Sequence, residues 1–118
     1  MNVVPMTVVE TPFFVQKVDG LLDEEERLRL ITFVGANPDV GDVIPETGGV
    51  RKLRWSVDGR GKRGGLRVIY YFHSETFPLF LLTVYGKNRK ANLTMTERHE
   101  FKKLLPLLVK SYAKGRKL

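Results

Sequence analysis

The chain has 118 residues, 42% of them apolar, which suits one hydrophobic core and is too short for two. It has no cysteine, which excludes disulfides, thiolate catalysis and the usual zinc-finger spacings. A net charge of +7 with a pI near 9.9 points to an anionic partner: nucleic acid first, an acidic protein second, an anionic membrane third.

The opening residues, MNVVPMTVVETPFF, lack the basic n-region of a secretory signal, and no apolar run approaches membrane-spanning length. A cytoplasmic protein is therefore expected. Val3–Val9 is β-branched enough for a first strand, with Pro5 favouring an edge position or a late start. Thr11 and Pro12 predict the cap and first position of a short helix reaching Val18. Asp23 caps a second helix whose first turn holds Glu24, Glu25 and Glu26, and Asn37-Pro38 stops it. Its apolar stripe is Leu30, Phe33 and Val34, widened by Leu28 and Ile31.

Asp39–Gly49 is predicted as a loop. Val50–Val57 and Leu66–Phe72 read as strands joined by Asp58–Gly65, a connection with four glycines. His73–Pro78 is a turn, Leu79–Tyr85 a nearly all-apolar strand, and Gly86–Asn92 a second basic loop. Thr94 and Glu97 form a capping box for the last helix. Phe101, Leu104, Leu105, Leu108 and Tyr112 supply its buried stripe, and Pro106 predicts a kink or break. Ala113–Leu118 reads as a frayed basic tail. The order β-α-α-β-β-β-α makes a single α+β domain, with helices packed on a small sheet.

Charge concentrates between Arg51 and Arg67, where seven Lys/Arg face one acid, Asp58, and one aromatic, Trp55. A charge run is usually a solvated face. A basic hairpin with glycine hinges also places several cations around a polyanion.

Four segments carry a resemblance: NPDVGDVI (Asn37–Ile44), TGGVRKLRW (Thr47–Trp55), GRGKRGGLRVIYYF (Gly59–Phe72) and LLTVYGKN (Leu81–Asn88). Collinear over about half the chain, they resemble the HigB/RelE-like toxins of bacterial type II toxin–antitoxin modules. The resemblance implies a microbial-RNase-like α+β fold with a small antiparallel sheet. It also implies ribosome-dependent endonucleolytic cleavage of mRNA in the decoding site, and neutralisation by a cognate antitoxin, a small helix-turn-helix protein. In the family pattern Lys52–Arg54 corresponds to a basic pair on one strand, and Arg67 opens the next. Better-known members carry a catalytic tyrosine beyond a Gly-Lys-Arg loop. This chain reads Gly86-Lys87-Asn88-Arg89, with no tyrosine between Tyr85 and Tyr112. Either Tyr85 or Arg89 takes that place, or turnover is weak.

RNA can be cut without a metal or other cofactor if its own 2′-OH is aligned with the adjacent phosphate. The enzyme must then take the 2′-OH proton, neutralise transition-state charge and protonate the leaving 5′-oxygen. The two histidines, His73 and His99, read better as solvated surface imidazoles. Lysine and arginine remain. Clustered cations disfavour further protonation, which suits a lysine to act as base, and arginine clamps phosphate bidentately. Lys52 is the candidate base and Arg67 the transition-state stabiliser; Arg54 and Lys87 are candidates for phosphate positioning or proton donation. Arg51, Trp55, Arg60, Lys62, Arg63, Tyr71, Tyr85, Arg89 and Lys90 are candidates for RNA or ribosome contact. Tyr70, Tyr71 and Trp55 have sheet packing as their commoner use. Two other functions stay open: a catalytically silent RNA- or ribosome-binding domain, and a gyrase-directed relative.

Overall fold

A computed structural model describes residues 6–56, 65–86 and 92–116. The elements are β1 (Val8–Glu10), α1 (Pro12–Val18), α2 (Glu24–Ala36), β2 (Asp42–Val43), β3 (Val50–Trp55), β4 (Leu66–Tyr71), β5 (Leu79–Gly86) and α3 (Met95–Arg116).

Local sequence sets the helix starts. The Thr11 hydroxyl accepts from the Phe14 amide and also donates to the Leu81 carbonyl on β5, so one side chain caps α1 and fixes it to the sheet. Asp23 and Glu26 form a complete capping box on α2, and Thr94 and Glu97 form another at α3. Helix α3 runs through Pro106 without a break and reaches Arg116, so it continues into the Ala113–Leu118 segment expected to fray.

The sheet order is β1-β5-β4-β3-β2. Strands β3 to β5 pair antiparallel as the resemblance implied, β2 adds antiparallel to β3, and β1 joins β5 in parallel, so the sheet is mixed. Strand β2 lies within the predicted loop. It forms because the Thr47 hydroxyl donates to the Ile44 carbonyl and accepts from the Val50 amide, closing a tight hairpin in which Gly48 and Gly49 take positive φ.

Two cores flank the sheet. On one face Phe14, Val18, Leu30 and Val34 from α1 and α2 pack against Leu53, Val68, Tyr70 and Leu81. On the other, Leu105 of α3 packs against Val50, Ile69, Tyr71, Phe80 and Leu82, and Phe101, Leu108 and Tyr112 lie at its margin. The α3 stripe is therefore only half-buried outside Leu105. Leu28 on α2 is 62% exposed and does not widen the buried stripe. Among the described residues no helix is long and apolar enough to cross a membrane.

Candidate nucleic-acid interface

Residue alternation on β3 sends Lys52 and Arg54 to the α3 side of the sheet, the face on which Val50 is buried. In the register Arg54 stands directly opposite Arg67 on β4, and Lys52 opposite Ile69. Arg67 is in turn opposite Tyr85 on β5. Arg54, Arg67 and Tyr85 thus form a row across three strands, with Lys52 one step along.

A β-bulge brings Tyr85 into that row. Pairing between β4 and β5 runs Tyr70↔Leu81 and then Ile69↔Thr83, skipping Leu82. Strict alternation from Phe80 and Leu82 would send residue 85 to the opposite face. The extra residue resets the phase, and Tyr85 joins Phe80 and Leu82 on the α3 side.

The far part of this face is covered by α3; the Arg54–Arg67 end of the row lies beyond that cover, with Arg54 exposed and Lys52 and Arg67 half-buried, while Tyr85 is buried in the same cluster as Leu93 and Leu105. Among the described residues no carboxylate lies within salt-bridge distance of Lys52, Arg54 or Arg67. Like charges directly opposite across two strands cost about 0.2–1 kcal/mol, so the Arg54–Arg67 pair is a local debt to stability that a bound anion would remove. Lys52 Nζ donates to Asn92 Oδ1 at 2.9 Å, which ties β3 to the segment entering α3.

Burial pushes the Tyr85 phenol above its ordinary range. Arg67 and Arg98 pull against that shift and Glu97 adds to it. The shift makes the phenol a weaker acid, and at neutral pH it is a protonated hydroxyl as an ordinary tyrosine is. Arg98 did not enter the sequence reading. Its guanidinium donates to the carbonyls of Leu93 (3.3 Å) and Pro45 (3.4 Å), so it is held at the start of α3 facing the row. Its place four residues after the cap Thr94 was the available signal.

The remaining candidates are scattered. Arg51 points to the opposite edge and donates to the carbonyls of Asp39 and Gly41. Trp55 lies on the α1/α2 side, its ring 5.5 Å from that of Phe33. Tyr71 is buried under α3, its hydroxyl 3.0 Å from His73 Nδ1. His73 follows the end of β4 opposite to Arg67, and His99 is exposed on α3. Arg60, Lys62, Arg63, Lys87, Arg89 and Lys90 lie outside the described residues, as does most of the glycine-rich connection.

An α+β domain with one cationic sheet face next to the start of its last helix is the class of protein that this geometry defines. Residues 42–115 match the family described as the RelE toxin of the RelE/RelB toxin–antitoxin system, and the chain belongs to that family. It is a toxin of a toxin–antitoxin module; such toxins have an antitoxin partner, act in general at the ribosome and are generally endoribonucleases.

Proposed function

We propose that this chain is a HigB/RelE-like mRNA interferase, cytoplasmic, which cleaves translated message in the ribosomal decoding site. The observation that carries this reading is the row Arg54–Arg67–Tyr85 with Lys52 beside it, on one sheet face, with no carboxylate within salt-bridge distance of its three cations among the described residues. In this reading the phosphate lies over β4, clamped by Arg54 and Arg67. Lys52 takes the proton of the adjacent 2′-OH, whose oxygen attacks phosphorus. Arg67 neutralises the charge that builds on the non-bridging oxygens. The P–O5′ bond breaks, and the leaving oxygen takes a proton from Tyr85 or Lys87. The products are a 2′,3′-cyclic phosphate and a 5′-hydroxyl end.

Tyr85 is the donor candidate on the sheet because the register sets it beside Arg67, whose charge opposes the burial that weakens the phenol as an acid. The ribosome supplies what a small domain lacks, a message held in extended form. Induced expression without the partner is expected to stop growth by stopping translation. Primer extension on a translated message should then show new 5′ ends inside codons. Growth arrest with intact mRNA would overturn the nuclease reading.

A further inference from the structure

A lysine serves as a base only if its nitrogen is held in place and can also lose its proton. The flexible stem works against the first condition, and a carboxylate partner works against the second. Lys52 Nζ is held by an amide instead: it donates to Asn92 Oδ1 at 2.9 Å, across 40 residues of sequence. The amide oxygen is a neutral acceptor. It takes one N–H of the lysine without the charge by which a carboxylate favours the ammonium form.

Asn92 is itself exposed, but the residues that follow it are anchored. Leu93 is 4% exposed and belongs to the core that also holds Leu105 and Tyr85. Its carbonyl accepts from Arg98 Nε at 3.3 Å, and the Thr94–Glu97 capping box closes the next turn. The backbone that carries Asn92 is therefore set by the start of α3. Lys52 is rooted on β3, so the contact fixes its nitrogen between two elements that the sequence keeps far apart.

The charged groups around Lys52 do not compete for that nitrogen. Asp42 stands opposite it on β2, Arg54 follows it on β3, and Arg67 lies diagonally across on β4. Glu97 and Arg98 come from the first turn of α3, where Glu97 Oε1 accepts from the Thr94 amide. None of these carboxylates lies within salt-bridge distance of Lys52.

We propose that Asn92 is a positioning residue for Lys52, its amide oxygen holding Nζ beside the Arg54–Arg67–Tyr85 row without adding a charge that would keep the ammonium form. The proposal rests on the mRNA-cleavage reading and on Lys52 as its base. Lys52 enters the step neutral, with one N–H on Asn92 Oδ1. Its lone pair takes the 2′-OH proton as the 2′-oxygen attacks phosphorus, and it leaves the step as an ammonium still bonded to Oδ1.

The test measures single-turnover cleavage of a translated message by the full-length toxin on purified ribosomes. Asn92→Ala should slow the cleavage step about tenfold to a hundredfold. The ribosome concentration for half-maximal rate and the thermal midpoint should stay unchanged. Asn92→Asp puts a carboxylate of the same size against Nζ, so the acid limb of its rate–pH profile should move up by about one pH unit or more. In a Lys52→Ala background, adding Asn92→Ala should change the residual rate by less than about twofold, because the two residues act as a unit. A wild-type rate for Asn92→Ala, an unmoved acid limb for Asn92→Asp, or an equal loss with and without Lys52 overturns the positioning role and leaves the nuclease reading standing. Wild-type cleavage by Lys52→Ala removes the base, and the proposal with it. A wild-type chain that cleaves no message on ribosomes overturns the nuclease reading itself.

Discussion

Arg67 has a cation on one side, Arg54, and a phenol on the other, Tyr85, and neither neighbour neutralises it. Its removal should therefore cost chemistry and not fold. Arg67→Ala is expected to lower cleavage about a hundredfold to a thousandfold, equivalent to about 3–4 kcal/mol of lost transition-state contact. Its thermal midpoint and ribosome binding should stay near wild type, checked by calorimetry and co-sedimentation. Normal cleavage by this variant would place the active centre elsewhere. Arg60→Ala and Lys62→Ala, in the glycine-rich connection, should instead weaken binding, each lowering the salt slope by about 0.7 if the ligand behaves as a single strand.

Tyr70 is the structural counterpart. Fully buried, it donates to the Pro38 carbonyl and accepts from the Gly41 amide, both at 2.8 Å, which fixes the loop before β2. Tyr70→Phe leaves both backbone groups without that partner and should destabilise the fold by about 1–3 kcal/mol in urea unfolding.

At the scale of elements, α3 has two duties. Its middle covers the second core through Leu105, and its first turn holds Arg98 beside the row. The Thr94–Glu97 capping box sets where that turn begins. Thr94→Ala should cost about 1 kcal/mol of stability, read as a lowered denaturant midpoint. It should also lower activity more than an equal destabilisation introduced at Asp23, which caps α2 on the opposite side of the sheet. Equal losses of activity from the two caps would show that the start of α3 has no special bearing on the site.

For the molecule as a whole, charge and burial each give a measurable dependence. Burial raises the phenols of Tyr70, Tyr71 and Tyr85 above the ordinary value of 10.0. A raised folded value means that the unfolded chain loses these protons first. Their contribution is complete below pH 10.0 and is lost as pH rises through the folded values. The urea midpoint should decline above that pH, and less steeply in Tyr71→Phe. A decline of the same slope in that variant would remove Tyr71 from the account.

The net charge of +7 favours an antitoxin that is acidic over most of its contact. Association should slow as salt rises, because long-range attraction acts on the encounter. Stopped-flow rates that do not change between low and high salt would argue against electrostatic steering.

Local signals were legible without coordinates wherever one residue does the work. Thr11-Pro12, Asp23 with Glu26, and Thr94 with Glu97 mark helix starts because a cap acts within three residues. Alternation on β3 and β4 put Lys52 with Arg54, and Arg67 with Ile69 and Tyr71, and the four collinear segments pointed to the family. Pairing was not legible. That β1 lies parallel beside β5, that Arg54 meets Arg67, and that a skipped Leu82 turns Tyr85 toward them are facts of register. Register depends on hydrogen bonds between strands far apart in sequence, and one extra residue reverses every side chain beyond it. The same holds for Trp55 and Arg51, whose types suit a nucleic-acid contact and whose strand phase sends them to the other face. Side-chain type is written in the chain, but which face of the sheet each residue occupies is decided only when the strands pair.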